Sequence, residues 1–402
     1  MEDRIRSVLE HYIEMKDITG GSVLLYKDGR EVLRVDEGLA DVGGNIPYST
    51  DTIIRLFSMS KPITSAASMI LIERGLLDRL DPVSDYIPSF KHSRYYDEKG
   101  NKLPVSKPVT IGDLLDMTSG LSYPDKTTYA GVDADIVFSE INDRLNTDDE
   151  MDTQEVADAL GRCTLAFDPG TDYLYGTGAD VLGAVIEKAA GMKLSDFMEK
   201  EIFAPLGMSD TAFYVPEDKQ SRLARSYVPA SHLSSPSEGE LPFTTDDIPE
   251  YLGDNLGIKN RMDSPNAFES GGAGLASTLT DYMRFAQMLL NGGSTPSGEQ
   301  ILTPATVDFM TSGELFPKGK KTFNERFDLL GFTYSNLLRI ATEPEKCDTL
   351  AVSGEFGWDG WLGPYFAAFP KKNAALLIAL QRTDSGTYSL TRRIRNVILS
   401  LL

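Results

Sequence analysis

A serine and a lysine are spaced so that they could act as a nucleophile and its base. Ser58-Met59-Ser60-Lys61 is an S-x-x-K tetrapeptide, and Ser58 is the only serine that stands three residues before a lysine. A serine hydroxyl is a weak nucleophile at neutral pH and needs a base within hydrogen-bond reach. If a helix begins at Ser58, the Lys61 amine lies on the same face as the hydroxyl. Burial would lower the pKa of Lys61, and the helix N-terminus would favour an oxyanion.

The position of this tetrapeptide in the chain supports its chemical interpretation. About one S-x-x-K is expected by chance in a chain of a few hundred residues. Here it lies between a β-prone run at 53–57 and an apolar stretch at 63–72. Pro62 suits the first turn of a helix, and Gly75 suits its C-terminal cap. Because the predicted helix is apolar nearly all round, we expect it to be buried between layers.

The hydrophobic periodicity elsewhere predicts an α+β fold with an antiparallel sheet flanked by helices. Helices are predicted at 3–16, 63–72, 111–117, 153–160, 180–190, 194–202, 281–290 and 389–401, and strands at 22–26, 31–35, 53–57, 365–369 and 374–380. Lys27-Asp28-Gly29-Arg30 joins the first two strands as a hairpin turn. Strands near both chain ends predict one sheet assembled from both termini. We therefore expect a sheet domain from 1–80 and 266–402, with an inserted, mainly helical domain at 81–265.

Two long acidic segments interrupt the predicted helical domain. They cover about 131–152 and 216–256, and the second contains the tract Ser235-Pro236-Ser237-Glu238-Gly239-Glu240. Their low apolar content predicts surface excursions or lids rather than independent domains. The run at 146–150 is interpreted as a solvated acidic face, with weak calcium binding left open.

The segments around Ser58 and further along the chain resemble, in order, the signatures of the serine β-lactamase and penicillin-binding protein superfamily. The matching segments are Arg55-Leu56-Phe57-Ser58-Met59-Ser60-Lys61-Pro62, Glu73-Arg74-Gly75-Leu76-Leu77-Asp78, Leu80-Asp81-Pro82-Val83, Met117-Thr118-Ser119-Gly120-Leu121, Pro169-Gly170-Thr171, Leu206-Gly207-Met208 and Gly272-Ala273-Gly274-Leu275. More narrowly, the chain is similar to the class C β-lactamase-like branch, which includes family VIII carboxylesterases and related acyltransferases. The resemblance implies a β-lactamase/transpeptidase-like fold and an acyl-enzyme on Ser58.

The second motif of this family corresponds to Tyr175. In β-lactamases the motif reads Tyr-x-Asn, whereas this chain has Tyr175-Gly176-Thr177. The resemblance implies that Tyr175, beside Lys61, moves the proton between Ser58 and the leaving group. Two such groups titrate as a coupled unit. By this resemblance Thr177 takes the place of the asparagine as a substrate-binding position, but it has no amide with which to make the family's contacts.

The third family motif, Lys-Thr-Gly, is replaced by Trp358-Asp359-Gly360. Esterase-like relatives carry Trp-Gly-Gly here, so this is a close variant. A cation at this sheet edge would pair with the carboxylate of a β-lactam; Trp358 cannot do so and Asp359 would repel that group. By the same resemblance, Trp358, Asp359 and Gly360 lie at the substrate, and the backbone N–H of Trp361 joins that of Ser58 as an oxyanion hole.

Composition excludes several classes of function. The 402 residues carry 39 basic and 60 acidic side chains, a net charge of −21. This balance argues against nucleic acid or an anionic membrane surface as partner. The sequence shows no signal peptide and no run of apolar residues long enough to span a membrane, which predicts a cytoplasmic protein. No metal or cofactor is expected, because His-Glu-x-x-His, phosphate-loop and dinucleotide motifs are absent.

A histidine-dependent triad is not predicted either. The only histidines are His11, His92 and His232, and the chain has no Gly-x-Ser-x-Gly. All three are interpreted as structural or solvated.

The sequence thus predicts a serine hydrolase whose substrate is a small or medium carboxylic ester. β-Lactamase, D-peptidase or amidase and acyltransferase activities use the same residues and remain alternatives. A non-catalytic binding protein that retains the fold is the alternative of a different class. The partner is expected to be a small-molecule ester or amide, and the sequence leaves the oligomeric state open.

Overall fold

Eight strands form one antiparallel sheet in the computed structural model, which describes residues 1–233 and 248–402. The strands of the chain are β1 (Gly20–Lys27), β2 (Arg30–Asp41), β3 (Ile46–Pro47), β4 (Ile53–Arg55), β5 (Arg94–Tyr96), β6 (Lys102–Pro104), β7 (Ala276–Thr278), β8 (Phe332–Ser335), β9 (Leu338–Ala341), β10 (Phe356–Asp359), β11 (Tyr365–Phe369) and β12 (Ala374–Ala379). The order in the large sheet is β3-β2-β1-β12-β11-β10-β9-β8. Its centre pairs β1 with β12, Val23 opposite Ile378, so the predicted sheet from both chain ends is confirmed.

Helices cover both faces of this sheet. They are α1 (Glu2–Glu14), α2 (Lys61–Glu73), α3 (Ile111–Leu115), α4 (Tyr129–Arg144), α5 (Thr153–Gly161), α6 (Gly178–Ala190), α7 (Leu194–Met198), α8 (Ala204–Leu206), α9 (Ala230–Leu233), α10 (Leu279–Leu290), α11 (Pro304–Thr311), α12 (Pro317–Phe327) and α13 (Ser389–Leu399). A π-helical turn, Glu199–Phe203, lies between α7 and α8. On one face α1 and α13 pack together, while α10 packs against β12 from the other.

The alternation of side chains along β1 explains why both faces are covered. Val23 and Leu25 belong to the core under α1 and α13, whereas Leu24 belongs to the larger core that includes the central helices. Neighbouring residues of a strand point to opposite faces, so an apolar run with no polar alternation must be buried on both sides. The α+β class is confirmed.

A small two-stranded sheet positions the serine. β4 pairs with β7, Arg55 opposite Ala276, and the N–H of Leu56 then donates to the carbonyl of Leu275 at 2.9 Å. The chain reaches Ser58 directly after this pairing. The S-x-x-K segment is therefore fixed against the glycine-rich turn that precedes β7.

The structure corrects the helix start expected at Ser58. A 3₁₀ turn, Phe57–Ser60, comes first, and α2 begins at Lys61 with Pro62 in its first turn. Side chains three residues apart eclipse one another in a 3₁₀ turn. The predicted juxtaposition of Ser58 and Lys61 is therefore obtained by a tighter turn than an α-helix. As predicted, the chain leaves the helix through Gly75 in the left-handed region, at φ +67°.

The expectation of a polar excursion at 131–152 is wrong for its first half. Residues Tyr129–Arg144 form the 16-residue helix α4, whose N-cap Thr128 accepts a hydrogen bond from Gly131. The buried positions of this helix recur at helical spacing and are Ala130, Gly131, Ala134, Val137, Phe138 and Ile141. Outward-facing acidic residues lowered the apparent hydrophobicity of the segment and concealed this stripe.

The second acidic segment is described only in part. Residues 216–233 contain a 3₁₀ turn, Glu217–Arg222, and α9, and the description resumes at 248. The tract from Ser235 to Glu240 lies outside the described residues. The division into domains at 80 and 266 stays a prediction. Within the described ranges, each helix is too short or too polar to cross a lipid bilayer.

Candidate active site

The turn before α2 exposes Ser58 at the floor of a cavity. Phe57, the residue before it, has φ +44°, a left-handed conformation that is costly for a bulky side chain. The surrounding packing imposes it, because Phe57 is only 4% exposed. Backbone strain of this kind is concentrated at functional sites. The strained turn aims the hydroxyl of Ser58 away from the core.

Lys61 is buried beneath Ser58 and is held by three oxygens. Its Nζ lies 3.0 Å from Ser58 Oγ, 3.1 Å from the hydroxyl of Tyr123 and 2.9 Å from the carbonyl oxygen of Gly272. The side chain is 0% exposed, and burial lowers its pKa to about 8, against the opposing effect of the carboxylates of Asp180 and Asp359. A neutral fraction of Lys61 is thus available near neutral pH, as a general base requires.

Asp180 braces the turn that supplies the carbonyl of Gly272. Its Oδ1 accepts hydrogen bonds from the hydroxyl of Ser270 and from the N–H of Gly272, the latter at 3.1 Å. Two donors on one oxygen favour the ionised carboxylate, although burial raises the pKa of Asp180. A Cβ at residue 272 would meet this carboxylate at 2.9 Å, so only glycine fits there. The turn thus links Asp180 and Lys61 through one residue.

Tyr175 completes the group around Ser58 and Lys61. Its ring centroid lies 4.8 Å from Lys61 Nζ, and its hydroxyl accepts a hydrogen bond from Trp358 Nε1 at 2.8 Å. Burial raises the pKa of Tyr175 above its ordinary value, while interactions with the Ser58 and Trp358 side chains lower it. The structure therefore brings together the three residues predicted to be catalytic.

The structure places Trp358 differently from the expectation that it lies at the substrate. Its side chain is only 1% exposed and packs behind Tyr175, with ring centroids 5.4 Å apart. The indole contacts Tyr175 through its N–H and does not line the cavity. Trp358 therefore donates a hydrogen bond to the phenol oxygen of Tyr175.

The other residues predicted near the substrate also turn away from the cavity. The carboxylate of Asp359 accepts a hydrogen bond from Thr387 and lies 3.8 Å from Arg339. Gly360 packs so closely that a Cβ would meet the carbonyl of Leu56 at 2.2 Å. Thr177 is 0% exposed. The roles of these three positions in substrate binding stay predictions.

The cavity above Ser58 has a volume of about 410 Å³. It is lined by Phe57, Ser58, Tyr123, Pro124, Asp135, Phe138, Ser139, Asn142, Tyr175, Asn255, Leu256 and Trp361. Trp361 packs edge-on against Phe57, with ring centroids 5.1 Å apart. Ser58 and Trp361 thus border the same space, as an oxyanion hole formed by their two backbone N–H groups requires.

Two residues that support Lys61, Tyr123 directly and Asp180 through Gly272, were not predicted from the sequence. Tyr123 lies two residues beyond the Met117–Leu121 segment, and its proximity to that segment was the available signal. Asp180 lies three residues beyond the Tyr175–Thr177 motif and was not singled out by any motif. Among the histidines, His232 lies on α9 with Nδ1 3.9 Å from Asp384, and none of the three lines the cavity. Within the described part of the chain, no group of three or more metal-ligating side chains could hold an ion.

A family model, sequence relatives and solved structures all match this chain over most of its length. A family model described as Beta-lactamase matches residues 5–399. The chain is 30% identical over 370 residues to esterase EstB of Burkholderia gladioli, covering 90% of this chain and 85% of that protein. It is 28% identical to the lovastatin esterase of Penicillium rubens, covering 80% and 74% of the two chains. A solved structure described as EstCE1, a hydrolase with promiscuous acyltransferase activity, superposes with TM-score 0.76 at 24% identity, covering 98% and 97%.

Proposed function

Because the chain belongs to the beta-lactamase family of serine hydrolases, we propose that it hydrolyses small or medium carboxylic esters through an acyl-enzyme on Ser58. The observation that carries this proposal is the distance of 3.0 Å between Lys61 Nζ and Ser58 Oγ at the floor of an open cavity. The names of EstB and the lovastatin esterase, two relatives described as esterases, support the choice of an ester.

The contacts of Ser58 define the steps of the reaction. Ser58 Oγ attacks the ester carbonyl carbon while its proton passes to neutral Lys61. The oxyanion forms between the N–H groups of Ser58 and Trp361. When the intermediate collapses, the C–O bond breaks and the leaving alkoxide takes a proton from the Lys61–Tyr175 pair. Water then attacks the acyl-enzyme with the same pair as base, which regenerates Ser58.

The charge of the cavity favours a neutral ester over a β-lactam. β-Lactams carry a carboxylate, which family members bind with a cation at the third motif. Here Trp358 occupies that position, and Asp135 is the only formally charged side chain among the described residues that line the cavity. None of the described residues that line the cavity is a Lys or Arg that could pair with an anionic substrate. A neutral acyl group instead packs against Phe57, Phe138 and Leu256.

The test compares p-nitrophenyl butyrate with a chromogenic cephalosporin, using wild type and Ser58→Ala. We expect ester hydrolysis that Ser58→Ala abolishes, and little cephalosporin turnover. Mass spectrometry after incubation with a serine-reactive phosphonate should find the label on Ser58. Faster cephalosporin turnover would refute the ester assignment. An unlabelled Ser58, together with a variant as active as wild type, would instead favour the non-catalytic alternative.

An added alcohol separates hydrolysis from acyl transfer. Both activities pass through the same acyl-enzyme, and EstCE1 is described as having promiscuous acyltransferase activity. If water is the main acceptor, butyrate remains the principal product when a primary alcohol is present at low concentration. A predominance of the new ester would assign the chain to acyl transfer.

A further inference from the structure

Helix α4 contributes a polar wall to the cavity above Ser58. Asp135, Ser139 and Asn142 line it and are spaced at i, i+4 and i+7, which places them on one face of the helix. The buried face of the same helix faces the core. The cavity therefore has apolar and aromatic residues near Ser58, while α4 contributes these three polar side chains together with Phe138.

Asp135 is the charged residue of this wall, and its carboxylate is not neutralised. Within the described residues it has no ion-pair partner within 4 Å and no hydrogen bond to its side chain. Two other acids of α4 are paired, since Asp133 lies 3.5 Å from Lys102 and Glu140 lies 3.3 Å from Arg144. Asp135 is half-buried, which weakens solvent screening of its charge.

Aromatic side chains, among them Phe57 and Trp361, line the same cavity. Trp361 is flanked by Phe57 and Tyr251, with centroids 5.1 and 5.3 Å away. Its Nε1 donates to a carboxylate oxygen of Asp384 at 2.6 Å, which fixes the indole and places a second negative charge behind it. The faces of indole and phenol rings attract cations, most strongly quaternary ammonium groups. A carboxylate and aromatic faces around one cavity suit a cation and disfavour an anion.

We infer that this cavity binds a cationic group on the alcohol part of its ester substrate. Asp135 is the counter-charge of this group, and the aromatic rings of Trp361 and Phe57 pack against it. The inference rests on the proposed ester hydrolysis and names the substrate class: esters of amino or quaternary ammonium alcohols. The acyl carbonyl lies at Ser58, and the cation extends toward α4. A half-exposed ion pair and one cation–π contact together correspond to a preference of about 5- to 30-fold over a neutral isostere.

The test uses two esters of nearly equal shape that differ in charge. These are butyrylcholine and 3,3-dimethylbutyl butyrate, in which a carbon replaces the ammonium nitrogen. We expect kcat/KM to favour butyrylcholine about 5- to 30-fold in wild type, and this preference to fall with added NaCl because salt screens the pair. Asp135→Asn should bring the ratio down several-fold and Asp135→Lys should reverse it. Each ratio is taken against 3,3-dimethylbutyl butyrate with the same variant, so that a general loss of activity does not alter it.

Asp143→Asn is the matched control, because Asp143 is an exposed acid of the same helix that does not line the cavity. It should leave the ratio unchanged. The inference is overturned if wild type hydrolyses p-nitrophenyl butyrate without preferring the choline ester, or if Asp135→Asn leaves the preference intact. Failure to hydrolyse any of the three esters would instead refute the proposed function.

Discussion

Replacing Asp180 by asparagine is expected to move the pH dependence of the enzyme toward acid. Asparagine keeps an oxygen that can accept from Ser270 and Gly272, so the turn is preserved while the negative charge is lost. That charge favours the protonated form of Lys61 and raises its pKa. Without it, Lys61 loses its proton at lower pH.

The size of the shift follows from the geometry. Lys61 Nζ and Asp180 Oδ1 contact the carbonyl and the N–H of the same residue, Gly272, at 2.9 and 3.1 Å. With Gly272 between them, the charges of Lys61 and Asp180 are on the order of 8 Å apart. At an effective dielectric constant of about 20, their interaction energy is about 2 kcal/mol. One pKa unit corresponds to about 1.4 kcal/mol. The pKa of Lys61, about 8 in wild type, should therefore fall by roughly one to two units in Asp180→Asn.

The assay is kcat/KM for p-nitrophenyl butyrate between about pH 5 and pH 9.5, where the acidic limb reports the base of the free enzyme. The midpoint of this limb should move to lower pH in Asp180→Asn and stay in place in Asp196→Asn, which changes an exposed acid on α7. A general loss of rate with an unmoved midpoint would mean that Asp180 is only structural. A midpoint that moves toward alkaline pH would refute the electrostatic reasoning.

Three further substitutions test the contacts described above. Tyr175→Phe should lower kcat for the ester by about 10²- to 10⁴-fold, as loss of a proton-transfer group does, with an unchanged melting temperature; near-normal rates would remove Tyr175 from the mechanism. Trp358→Phe deletes the donor 2.8 Å from the Tyr175 hydroxyl and should lower kcat about 10-fold at similar KM; a change in KM alone would indicate a substrate contact instead. Arg395→Met removes the nearer of the two arginines that pair with the fully buried Glu355 and leaves only Arg339, 3.9 Å away; it should cost about 3 kcal/mol in urea unfolding, and a loss below about 1 kcal/mol would contradict this.

Short-range features were predictable because their causes act over a few residues. The hairpin at Asp28-Gly29 is set by turn chemistry, and β1 and β2 form on either side of it. The proximity of Ser58 and Lys61 depends only on a spacing of three residues in a helical turn. In contrast, α4 was missed because its charged face, including Asp133 and Asp135, dominates the composition of a segment whose buried stripe is narrow.

The sequence by itself determined the family and predicted a nucleophile with an adjacent base, since local spacing and ordered motifs carry that information. Only the tertiary structure decided which distant groups complete the site. Lys61 reaches the carbonyl of Gly272 across 211 positions, and Trp358 reaches Tyr175 across 183. The direction in which the indole of Trp358 points, and the placement of Asp135 on the cavity wall, depend on how the sheet and the central helices pack. No local pattern encodes such contacts, because their energies arise from burial and from charges brought together by the fold.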